Sequence, residues 1–243
     1  MNKIWRVPVI HLVVLGALLL VADSRAQERP PILEKIAKAY GVDSWGQIEV
    51  IRYTFNASFG PVTISHSWQW EPKTGKVTYG GKDHDGKPVK VTYLRSQLST
   101  QPDSVKNETD PAFMNDNYWL IFPFHATWDA SADVKDEGKQ KLPLGKGTAD
   151  KVVVKYPADV GYTPGDTWTL FVGPDCRVQE FTYHRGGPKK PTDVITTWAA
   201  YKKAGPLLVA TDHRGTADGK PVRIFFTDVA VKLTGSDIWL NAQ

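Results

Sequence analysis

Five histidines follow residue 26: His66, His84, His125, His184 and His213. Each is a possible metal ligand, general base or proton carrier. Two follow aspartate, in KDHDG (82–86) and TDHRG (211–215). Such His/Asp groups, gathered from neighbouring strands, are a donor set for a metal ion. Both dipeptides fall at or near expected turns, however, where polar residues belong, and no metal site is expected. His125 lies among Phe122, Phe124 and Trp128, and with Asp129 it would be the first acid–base pair of a hydrolase. The competing reading is a hydrogen-bonded core histidine. The chain has no G-x-S-x-G elbow, H-E-x-x-H helix, C-x-x-C pair or G-x-x-x-x-G-K-[ST] loop, which counts against the familiar hydrolases, zinc proteases and nucleotide enzymes. No catalytic residue and no cofactor is assigned. The single cysteine, Cys176, excludes an internal disulfide, and an inert thiol is expected.

Aromatic side chains are the stronger signal. Eight tryptophans follow residue 26, and Trp68 and Trp70 stand two apart on one expected strand, so they share a face. The densest stretch is DPAFMNDNYWLIFPFHATWD, residues 110–129. Asp110 reads as a helix N-cap and Pro111 as its first helical residue, with Phe113, Met114, Asn117, Leu120 and Ile121 on one face. Pro123 disfavours helical backbone at Phe122, so the helix is expected to stop there and FPFHATWD to run on extended, with Phe122 and Phe124 on one side. The candidate ligand-binding residues are therefore Trp68, Trp70, Phe113, Tyr118, Trp119, Phe122, Phe124 and Trp128, lining an apolar pocket. An ordinary aromatic core is the alternative.

The elements that must position these residues follow from hydrophobic period. Ile32, Leu33, Ile36, Ala37 and Tyr40 fall on one helical face, with Pro31 in the first turn and Gly41 just past the end. Beyond Gly41 the period drops to two. About ten runs alternate, from IEVIRYTFNASF and VTISHSWQW to LLVATDHR and VRIFFTDVAVKL, and are rich in Val, Ile, Thr and aromatics. EPKTGK, GPDCR and ADGKP read as hairpin loops. The echo between DGKPVKVTY (85–93) and DGKPVRIFF (218–226) is repeated hairpin chemistry, because it extends to neither side. The expected class is mainly β (α+β): a strongly curved antiparallel sheet or incomplete barrel with a few helices on its concave side.

The N-terminus carries an address. Lys3 and Arg6 precede an apolar run from Val7 to Val21, and Ser24 and Ala26 suit a signal-peptidase site. The run is shorter than the ~20 apolar residues of a spanning helix. A signal peptide over 1–26 and a single domain over 27–243 are expected, exported to the periplasm without a lipid anchor. Cleavage removes Lys3, Arg6, Arg25 and Asp23 and leaves 27 basic and 25 acidic side chains. So small an imbalance, without a Lys/Arg block, argues against nucleic acid as a partner.

Three stretches carry a family resemblance: NDNYWLIFPFHATWD, GYTPGDTWTLFV and TTWAAYKKAGPLLVATDHR. With the leading helix ILEKIAKAYGVDSW and the strand IEVIRYTFNASF, their order resembles the LolA-like superfamily of periplasmic lipoprotein carriers. In particular it is similar to a branch often labelled "outer membrane lipoprotein-sorting protein". The resemblance implies an incomplete barrel whose helices close a hydrophobic cavity for acyl chains. No local motif here matches the carrier's own functional residues. The expected role is a non-enzymatic, monomeric binding or carrier protein for a lipid or acyl chain, with an envelope protein as a possible partner. A hydrolase acting in the same pocket and an envelope structural protein without a ligand are the alternatives.

Overall fold

A computed structural model describes residues 29–243, apart from 83, 84, 160, 188 and 189. The expected signal segment and His84 lie outside the described residues. Helix α1 (Pro31–Tyr40) forms as its pattern requires and buries Leu33, Ile36, Ala37 and Tyr40. It ends at Gly41, whose φ of 93° lets its N–H reach the carbonyls of Ala37 and Lys38. A side chain there is excluded twice over, because a Cβ would sit 2.4 Å from the carbonyl oxygen of Pro206.

Helix α2 (Asp110–Trp128) corrects two expectations. It does not stop at Phe122 but runs through Pro123 to Trp128, so Phe122 and Phe124 follow a helical path rather than one side of a strand. The proline is accommodated at Ile121, which leaves helical geometry (φ −129°, ψ 29°) and divides the helix by a kink. Aromatic burial beyond the kink holds the second half helical. Asp110, read as an N-cap, is already inside the helix, because a π-helical turn (Val105–Thr109) leads into it. Its fully buried carboxylate instead accepts hydrogen bonds from Tyr93 Oη at 2.8 Å, Arg95 Nε at 3.0 Å and the Tyr162 hydroxyl.

Among the described residues, thirteen strands form one antiparallel sheet. They are β1 (Ile48–Phe59), β2 (Val62–Glu71), β3 (Lys76–Lys82), β4 (Pro88–Leu94), β5 (Asp133–Lys141), β6 (Thr148–Lys155) and β7 (Thr167–Val172), then β8 (Val178–His184), β9 (Asp193–Thr197), β10 (Ala199–Ala204), β11 (Leu207–Ala217), β12 (Lys220–Leu233) and β13 (Leu240–Asn241). The spatial order is β4-β3-β2-β1-β12-β11-β9-β8-β7-β6-β5, with β10 on β11 and β13 on β12. Strands β4 and β5 are the two edges of this path, so the sheet is not closed. Asp218 and Gly219 join β11 to β12 with φ of 49° and 77°, the paired positive values of a type I′ hairpin.

The sheet is bent into a trough. From β2 to β8 the order crosses five strand spacings, about 24 Å if the sheet were flat. Yet Ile64 and His66 of β2 and Tyr183 of β8 line one chamber of about 200 Å³. The concave face receives α2, and α1 packs against α2 and β11. The curved, incomplete antiparallel architecture expected from the alternating runs is the architecture found.

Candidate functional site

The inward row of each central strand follows from alternation. On β1 it is Tyr53, Phe55, Ala57 and Phe59, and register places Phe226, Ile224 and Val222 of β12 opposite Phe55, Ala57 and Phe59. On its other side, β2 contributes Trp68, His66, Ile64 and Val62 opposite the same four. These rows pack on α2 near Tyr53 and Trp68 but separate from it further along. The gap is an apolar chamber of about 200 Å³, where Phe55, Ala57, Val194, Val222 and Ile224 face Ala112 and Trp119 of α2. Its lip is exposed: Phe59, Val62 and Ile64, at the β1–β2 hairpin, keep 40%, 56% and 36% of their surface in solvent.

Two further chambers adjoin it along α2. A more polar one of about 240 Å³ lies between Met114, Asn115 and Tyr118 of α2 and the loop Tyr162–Thr163–Pro164 with Asp166. It shares Asn115, Tyr183 and Arg185 with the apolar chamber. The third, about 590 Å³, lies between Tyr79, Val89 and Val91 on one side and Ser104, Glu108 and Thr109 on the other. It shares His66 and Ala112 with the apolar chamber.

The polar groups of this wall are held by a buried carboxylate. Asp116, 1% exposed, accepts hydrogen bonds from His66 Nδ1 and Trp68 Nε1, both at 2.8 Å, and from Asn115 Nδ2 at 3.1 Å. Burial pushes its carboxyl above the usual range, against the pull of these donors. The carboxylate fixes the His66 ring by its Nδ1 side, and the imidazole forms part of both chamber walls.

Of the eight aromatic residues singled out in the sequence, Tyr118 and Trp119 reach a chamber. Trp68 is buried as a donor to Asp116, and Phe113 packs between it and the half-buried Trp70, at ring separations of 5.4 and 5.7 Å. Phe122 is sealed against Trp168 (4.7 Å) and Phe181 (5.3 Å). Phe124 is sealed against Tyr40 and Trp45, and Trp128 lies 4.7 Å from Trp45. His66, Asn115, Asp116 and Arg185 were not among those eight. A signal for them existed: Asn115-Asp116-Asn117 is a polar triplet inside an apolar helix, so part of it must point inward and find partners.

His125 and Asp129 do meet, with His125 buried and Asp129 half-buried. His125 Nε2 donates to Asn117 Oδ1 at 2.7 Å, its ring stacks on Tyr118 at 4.0 Å, and its Nδ1 is 3.6 Å from Asp129 Oδ2. Burial acts upward on the Asp129 carboxyl, but His125 and the hydroxyls of Tyr156 and Tyr118 outweigh it and hold the group below the usual range. Neither residue lines a chamber. His213 does not sit at a turn as expected; it is mid-strand and fully buried between Trp119, Trp198 and Phe226. Its Nδ1 donates to the Thr197 carbonyl at 3.3 Å, and desolvation pushes its pKa down to about 4. Among the described residues, no cluster of three His, Cys, Asp or Glu side chains is placed to hold a metal ion. Cys176 is half-buried in the β7–β8 hairpin turn, at a φ of 61°.

No protein-family model matches the chain, and no curated protein matches it. Similar solved structures include a putative outer membrane lipoprotein-sorting protein domain from Vibrio parahaemolyticus, with 10% identity and a TM-score of 0.47, covering 87% of this chain and 95% of that one. A DUF1329 family protein from Desulfovibrio piger shares 8% identity with a TM-score of 0.44, over 85% of this chain and 94% of that one. The Mycobacterium tuberculosis lipoprotein LppX shares 10% identity with a TM-score of 0.30, over 82% and 95%. At such identities function has to be argued from this chain's own residues.

Proposed function

We propose that residues 27–243 form one exported, periplasmic domain that binds and carries an apolar ligand, a lipid or acyl chain, without chemical turnover. The observation that carries this reading is the apolar chamber. Phe55, Ala57, Val194, Val222 and Ile224 are inward-facing strand residues that leave a void against Ala112 instead of closing on it. The exposed Phe59, Val62 and Ile64 continue the same apolar surface to solvent. Each methylene moved from water into such a chamber returns about 0.8 kcal/mol, so a modest chain length gives useful affinity. Solvent exclusion supplies the affinity, and His125 and Asp129 stand outside the walls of the three chambers.

The test is uptake of a fluorescent fatty-acid analogue by wild type and by Ala112→Trp, which fills the chamber from the helix side. Wild type should bind and the variant should lose at least most of that uptake while keeping its far-ultraviolet spectrum. Absence of uptake by wild type, with no apolar mass in native mass spectra of protein from the periplasmic fraction, would leave an ordinary aromatic core and overturn the reading.

A further inference from the structure

Arg185 follows directly on β8 and is half-buried in the wall shared by the apolar and polar chambers. Its guanidinium has five N–H donors. Among the described residues, its side chain makes a single long hydrogen bond, from Nε to the Tyr183 hydroxyl at 3.4 Å, and no ion pair. The carboxylate on the same wall, Asp166, is occupied elsewhere. It accepts from the Tyr183 hydroxyl and from the Gly186 N–H, both at 2.9 Å. At this half-buried position beside Val194, Ala217 and Ile224, water reaches the unused donors, and an anion that replaces it gains charge-assisted hydrogen bonds. The planar fork suits the paired oxygens of a carboxylate or phosphate better than any neutral group.

Resting on the apolar-ligand reading above, we propose that the ligand is an anionic single-chain amphiphile. Its carboxylate or phosphate head lies on Arg185 and its tail fills the apolar chamber. The polar chamber on the far side of Arg185, with Asn115 and Thr163, gives the head group room and water. Apolar burial then supplies affinity, and Arg185 supplies head-group preference and the direction in which the chain enters.

Equilibrium dialysis of the full chain against palmitate, hexadecyl phosphate and methyl palmitate, each below its aggregation concentration, tests this. Wild type should bind palmitate, hexadecyl phosphate or both at least about tenfold more tightly than the ester, the scale of a charge-assisted hydrogen-bonded pair. The acid and phosphate arms show which head group fits. Arg185→Gln should lose that preference while its ester affinity stays within about twofold. Arg185→Lys, which keeps the charge, should retain part of the preference and serves as the second variant if Arg185→Gln fails to fold. Equal binding of all three ligands by wild type, or a preference that survives Arg185→Gln, overturns the head-group assignment and leaves the apolar reading intact. Failure of wild type to bind any of the three overturns both.

Discussion

The two halves of α2, divided at Ile121, carry similar aromatic mass but border different surroundings. Beyond the kink, Phe122, Phe124 and Trp128 meet Trp168, Phe181, Tyr40 and Trp45 ring against ring, and neither Phe122 nor Phe124 lines any of the three chambers. Before the kink, the side chains that face the chambers include Ala112 and Asn115 beside Tyr118 and Trp119. A count of large rings therefore does not locate a pocket. Space is left where a small residue or a polar one tied to a neighbour stands opposite an apolar strand row, as Ala112 stands opposite Ala57 and Ile224. The rings farther along make the rigid block from which that open half is hung.

The sharpest way to break this contrast is Phe122→Ala. If the second half is solid core, the loss should be about 3–5 kcal/mol by urea unfolding, with probe uptake by the folded protein unchanged within about twofold. A loss below about 1 kcal/mol would mean that this half also borders space. His213 probes the packing behind Trp119. Its folded pKa of about 4 lies below the ordinary 6.5, so unfolding takes up a proton between those values. The associated stability is fully present above pH 6.5 and is lost as the pH falls through the window to about 4. The difference is on the order of 3 kcal/mol. Unfolding curves of wild type and His213→Leu across pH 7 to 4 should converge by that amount, and parallel curves would show the imidazole to be solvated. The smallest change in stability belongs to the lip. Phe59→Ser with Ile64→Ser should move stability by no more than roughly 0.5 kcal/mol per site, yet weaken probe uptake several-fold. Unchanged uptake would detach the lip from the chamber.

Most of the fold was legible because half-buried strands alternate. The ten runs with inward Val, Ile and aromatic residues correspond to β1–β4, β6–β9, β11 and β12. Strand β5, DVKDEGKQK, was silent because it lies at an edge with solvent on most of its surface, where charge is an advantage and alternation is not required. AAYKKA of β10 is too short and too polar to show a period, and β13 is two residues long. Pro123 misled for a different reason: local preference set a boundary that tertiary burial overrode, with the cost absorbed at Ile121. The site was half legible. Tyr118 and Trp119 stand out by size, but nothing near Ser65 or Ser67 marks His66 as the partner of a carboxylate fifty residues away. Arg185 gains its meaning only from walls contributed by distant strands.

Among the described residues, β4 and β5 each pair along one side only, and this has a mechanical consequence. In a closed barrel, strand number and shear together fix the bore, so the interior admits a guest of one girth. A trough ending in two free edges obeys no such closure condition. Its span can follow small cumulative changes of twist from strand to strand while every ladder hydrogen bond stays made. Under the binding role proposed above, capacity is then an elastic property of the sheet, graded by the size of the guest.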